Sequence, residues 1–184
     1  MPDQVGPAIF FNLGIKINIE SFGGRKNEQH MASNDKISHM IPTCVVLDTN
    51  VCLDLFVFHD PRWIKLLDAL RSGAVKAVTR HDCRMEWLAV LNYPHLPLDP
   101  DSRIKCADEF DALISCLNPA PRSCFHLPIC SDKDDQKFLE LAHEALATFL
   151  ITKDKALLKL SRKTTNAGLF RIIQPQEWPG INGN

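Results

Sequence analysis

Acidic side chains at the ends of apolar runs are the residues of this chain best placed to do chemistry. Asp48 closes the run Cys44-Val45-Val46-Leu47, and Asp154 follows Phe149-Leu150-Ile151 after Thr152 and Lys153. Asp132, Asp134 and Asp135 precede one stretch of helical apolar spacing; Glu86 lies in another, one turn beyond Asp82. A carboxylate directly after four apolar residues risks desolvation and needs a partner. Three or four carboxylates that converge without positive charge repel one another. They persist where a divalent cation neutralises them, and hard oxygen donors favour magnesium or manganese. Taken singly, each has a plainer role. Asp132, Asp134 or Asp154 can cap a helix, and Glu86 beside Arg84 can be a solvated side chain. Only convergence makes a site of them.

The elements that would bring them together follow from hydrophobic spacing. Residues 44–47 read as a buried strand, followed by a short helix over 51–58. Asp60-Pro61 supplies an N-cap and a first-turn proline. Trp63, Leu66, Leu67 and Leu70 then form a helical stripe that Gly73 is placed to end. The spacing predicts a strand over 74–79, a helix over 81–91, a loop with three prolines over 93–100 and a helix over 101–117. A second proline-rich loop spans 118–130, a helix 132–147, a strand 149–151, a helix 155–160 and a last strand 170–173. Short apolar strands alternating with helices imply an α/β fold with a mainly parallel central sheet covered on both faces. Ligands bind such sheets beyond the carboxyl ends of the strands, where Asp48 and Asp154 would lie.

Composition narrows the field without choosing a function. The chain has 184 residues, 45% of them apolar, with 21 basic and 22 acidic side chains. That is a core-forming composition and not that of a globally basic nucleic-acid binder. No apolar run approaches the roughly 18 residues of a membrane helix, and no secretory signal is evident. Seven cysteines without a C-x-x-C pair read as reduced thiols of a cytoplasmic protein. No nucleophile–base pattern is present. A haloacid-dehalogenase-type phosphatase would need an aspartate where Asn50 stands.

Three segments resemble one known family. Val45-Val46-Leu47-Asp48-Thr49-Asn50-Val51 looks like the opening strand of a PIN-domain ribonuclease. The stretch from Asp132 to Ala142 resembles that family's third acidic element, and Leu150-Ile151-Thr152-Lys153-Asp154-Lys155-Ala156 its fourth. Together they resemble the PIN-family toxin components of bacterial toxin–antitoxin systems. The resemblance implies a three-layer α/β/α fold and a magnesium- or manganese-dependent endoribonuclease. It implies metal-binding acids at Asp48, Glu86, Asp135 and Asp154, supported by Asn50 and Thr152, with Asp132 an additional candidate and Asp82 a competitor of Glu86. Lys153, Lys155 and Arg84 are candidates for contact with RNA. A cognate antitoxin and a homodimer would be partners. The alternative is a catalytically degenerate PIN-like domain that binds RNA or a partner without cutting.

Residues 1–39 look different: polar, aperiodic, and followed by Met40 just before the first strand pattern. They are expected to be a disordered or non-native extension, with 40–184 forming the single PIN-like domain. Limited proteolysis is expected to remove residues 1–39 well before the body is cut; equal resistance of the two parts would overturn that division.

Overall fold

Val45 and Val46 have no solvent exposure, because the strand that carries them lies at the centre of a sheet covered on both faces. The computed structural model describes residues 42–118 and 127–180; the expectation for 1–39 and the middle of the 118–130 loop lie outside them. Strand β1 (Thr43–Leu47) pairs in parallel with β2 (Val75–Arg80) on one side and β4 (Phe149–Ile151) on the other. β3 (Ile114–Leu117) lies outside β2 and β5 (Arg171–Ile173) outside β4, giving an all-parallel order β3-β2-β1-β4-β5. The chain leaves β1 towards one edge and returns to β4 on its other side. The crevice opens where that reversal occurs, beyond Leu47 and Ile151, which are register partners.

Alternation along the strands splits the core in two. Val45, Leu47, Ala77, Phe149 and Ile151 face α1 (Thr49–Cys52), α2 (Ile64–Arg71) and α4 (Pro100–Leu113). Val46, Val78, Leu150 and Ile172 face α5 (Gln136–Glu144) and α6 (Lys155–Leu158). This is the expected α/β/α sandwich. Helix α3 (His81–Val90) serves both sides, burying Trp87 in one core and Cys83 in the other. Trp87 stacks on Phe110 at 5.3 Å, and Phe56 meets both edge-on. Such a buried aromatic trio anchors α3, and with it Glu86.

The remaining differences from the expected elements have local causes. The helix from 101 stops at Leu113, and residues 114–117 form β3. An edge strand of four residues is too short to show its own period, and ladder bonds to β2 decide it. Helix α5 starts at Gln136, four residues late, because Asp132 folds back to accept the backbone N–H of Asp134 at 2.9 Å. After Leu158 the chain turns and forms α7 (Ser161–Asn166), a segment without a clear apolar stripe. The helix after β1 widens over Leu53–Val57, closed by a bond from Phe58 N–H to the Leu53 carbonyl five residues back. All six cysteines among the described residues are free, four of them buried.

Helix α5 also ends earlier than expected, at Glu144. Ala147 N–H bonds the Ala142 carbonyl and Leu146 N–H that of His143, the two bonds of a Schellman stop. The left-handed position, which favours glycine, is held by Leu146 with φ +52° and a 65% exposed side chain. Leu146→Gly is therefore expected to stabilise the fold by about 0.5–1 kcal/mol, read as a higher midpoint in urea denaturation.

Candidate active site

Asp48 sits on the first residue after β1, only 4% exposed, and its backbone N–H bonds the Ile151 carbonyl of β4 at 3.0 Å. Its carboxylate Oδ2 accepts from the Thr152 hydroxyl, in a very short contact, and from Asn50 Nδ2 at 2.6 Å. Asn50 Oδ1 in turn accepts from Lys153 N–H at 3.1 Å, and Thr152 Oγ1 from Asp154 N–H at 2.8 Å. The turns after β1 and β4 are thus tied into one hydrogen-bonded unit. Asp154 caps α6 through Oδ1, accepting from Ala156 and Leu157 N–H. The cap leaves its position fixed while its second oxygen is not drawn into it.

Two further acids reach the crevice from helices. Glu86, on α3, accepts from the Thr49 hydroxyl at 2.6 Å and pairs with the Lys137 ammonium. Asp135 stands directly before α5. Burial raises the Asp48 carboxyl first of all, and the nearby charge of Glu86 adds to it. The Thr152 and Asn50 bonds work the other way. Asp135 is pushed up to about 7, by burial and then by the charges of Asp48, Asp154, Asp132 and Glu86. One titrating group thus feels all the other proposed acids at once. Burial opposes the charge on Lys137, but Glu86 outweighs it and its pKa is raised.

The other predicted residues have different situations. Asp82 is bound twice by Arg80, at 2.9 and 2.7 Å, which holds its carboxyl down to about 2. Arg80 also reaches Glu144 and Glu140, so Asp82 belongs to an ion-pair network that joins α3 to α5. Asp132 is exposed in the turn before α5. Arg84 is held by both oxygens of Asp111, at 2.7 and 2.5 Å, on the α3–α4 surface. Lys155 is exposed on the first turn of α6; Lys153 is 40% exposed and pairs with Asp54 at 2.6 Å. Thr49, Lys137 and Asp54 were not predictable. A lysine in the first turn of a helix reads as solvated, and only the approach of α5 to α3 brings Lys137 onto Glu86.

The donor set is all oxygen and suits a hard divalent cation. Yet among the described residues no three His, Cys, Asp or Glu side chains stand close enough together to hold one. Two of the acids have partners of their own: Lys137 for Glu86 and the α6 backbone for Asp154.

The sequence model of the PIN domain matches residues 44–156, and the chain belongs to the PIN-domain family. No curated protein matches the chain. PIN domains are generally nucleases, and the parallel sheet with helices on both faces is their fold. No helix among the described residues is long and apolar enough to cross a membrane.

The electrostatics of Asp135 have a measurable consequence. Its folded pKa lies above its ordinary 3.8, so between that value and about 7 the folded state holds more proton than the unfolded one. In EDTA, stability is therefore expected to fall as pH rises through that window. Asp135→Asn is expected to flatten this slope in urea titrations at pH 5 and pH 8; a slope that survives the substitution would assign it elsewhere.

Proposed function

We propose that the protein is a magnesium- or manganese-dependent endoribonuclease that hydrolyses RNA phosphodiester bonds, acting as the toxin of a bacterial toxin–antitoxin pair in the cytoplasm. The observation that carries the reading is the hydrogen-bonded unit at the switch point of the sheet, in which Thr152 and Asn50 hold Asp48, Thr152 holds Asp154, and Thr49 holds Glu86. Asp48, Glu86, Asp135 and Asp154 are the residues that would hold the cation. When bound, it supplies an acidified water and offsets charge on the phosphate. Asn50 and Thr152 hold Asp48 in one orientation while burial keeps competing solvent from it. Lys137, paired with Glu86 in this structure, would have to give up that pair for Glu86 to hold a cation. Lys153 and Lys155, flanking Asp154, meet the substrate phosphates.

One observation favours the alternative of a degenerate domain that binds without cutting. Lys137 already neutralises Glu86. The two readings separate in one assay. The purified chain is incubated with structured RNA and magnesium, manganese or EDTA. The nuclease reading expects cleavage only with metal, and a loss of roughly 100-fold or more in Asp48→Asn and in Asp154→Asn. Thr152→Val, which removes only a supporting bond, is expected to cost about 10–100-fold. Metal-independent cleavage, or full activity in both Asp variants, would overturn it. RNA binding without cleavage under any cation would establish the degenerate reading. For the toxin role, induced expression is expected to slow bacterial growth, and Asp48→Asn to relieve the effect. A cognate antitoxin and a homodimer belong to the same proposal.

A further inference from the structure

A groove of about 860 Å³ has Lys153, the neighbour of Asp154 in the chain, in its lining, and is otherwise formed by residues not assigned so far. That volume is in the range of sites that take a ligand of nucleotide size. One wall is the turn Pro61–Trp63 with the start of α2, the other the segment Gln174–Trp178, and Lys153 forms the end nearest Asp154. The two walls pack against each other, and Trp178 is seated partly in the core.

The groove's chemistry is that of a single-stranded nucleic acid site. Its lining carries Arg62, Lys65 and Lys153 and no carboxylate. Two of these cations are paired with acids outside the lining: Asp60 accepts from Arg62, and buried Asp54 from Lys153. The Arg62 guanidinium lies 5.1 Å from the Trp63 ring centre, and its side chain is 70% exposed. Guanidinium planes and indole rings are the surfaces on which unstacked bases settle. Asp54 accepts from both Lys153, at 2.6 Å, and Trp63 Nε1, at 3.1 Å. It lies in the widened turn Leu53–Val57, which follows Asp48 and α1, so it joins the groove to the segment that leaves β1.

We propose that this groove is the channel for the single-stranded RNA that flanks the cleaved bond. Bases stack on Trp178 and on the Arg62 guanidinium, Lys65 and Lys153 take phosphates, and Asp54 is the positioning residue for Lys153 and Trp63. The proposal rests on the nuclease reading for its direction, since Lys153 links the groove to the acids, but its binding chemistry is independent of metal.

The test is fluorescence anisotropy of the full chain with a labelled oligouridylate of roughly eight nucleotides, in EDTA so that nothing is cut. Trp178→Ala is expected to weaken binding by roughly 5- to 150-fold, and Trp178→Phe to recover most of it. Lys65→Ala, an exposed change that leaves the core intact, is expected to weaken binding and to lower the slope of log affinity against log salt by about 0.7. Duplex RNA of the same length is expected to bind more weakly, because its bases are not free to stack. Unchanged affinity and salt slope in both Trp178→Ala and Lys65→Ala, or equal affinity for duplex, would overturn the channel and leave the groove to a protein segment. If the chain binds through the groove but cuts nothing with any metal, the nuclease reading fails and the RNA site stands. If it cuts RNA with KM unchanged in the groove variants, the channel fails and the nuclease reading stands.

Discussion

Burying a carboxylate at the end of the central strand is the constraint around which this protein is organised. Asp48 loses nearly all contact with water at the reversal point of the sheet, and a bare carboxylate there would be costly. Thr152 and Asn50 offset the cost, and both are held in turn by the chain that leaves β4. The hydrogen bonds that favour the charged form of Asp48 therefore also tie together the ends of the two central strands. Asp154 is placed by the same network, one bond further out, and its cap on α6 continues it. Fold and site are one structure at this point.

Around that unit, charge is balanced by specific neighbours and not by net composition. Lys137 neutralises Glu86, Arg80 gathers Asp82, Glu140 and Glu144, and Lys153 answers Asp54. What remains is local: Asp135 is raised by burial and then by the charges of the other acids, while three cations, two of them paired with Asp60 and Asp54, line a groove that has no carboxylate in its lining. A protein with formal charge −1 can therefore present both a cation-seeking pocket and an anion-seeking channel. The two lie side by side because Lys153 and Asp154 are consecutive residues after β4.

Much of this is legible in the sequence. The β1 and β4 strands declare themselves as short apolar runs, and a chain alternating such runs with helical stripes has few topologies open to it. A parallel α/β sheet places Asp48 and Asp154 at the same edge, which two positions in a sequence can already say. Elements whose identity depends on a neighbour were not legible. Residues 114–117 become a strand only because β2 offers a ladder edge. Leu146 ends α5 in a conformation that its side chain gives no reason to expect. Asp82 and Glu86 look interchangeable on one helix until Arg80 binds the first and Thr49 the second.

The sequence by itself determined the fold class, the strand-end acids and their oxygen-donor chemistry, because these follow from apolar period and residue type. Tertiary structure alone decided which acid of a helix faces the crevice, that a lysine stands on Glu86, and that Asp54, Arg62 and Trp178 gather around one groove. Those are relations between side chains far apart in the chain, set by how helices cross the sheet. No local pattern encodes the distance between Thr49 and Glu86, or between Asp54 and Lys153.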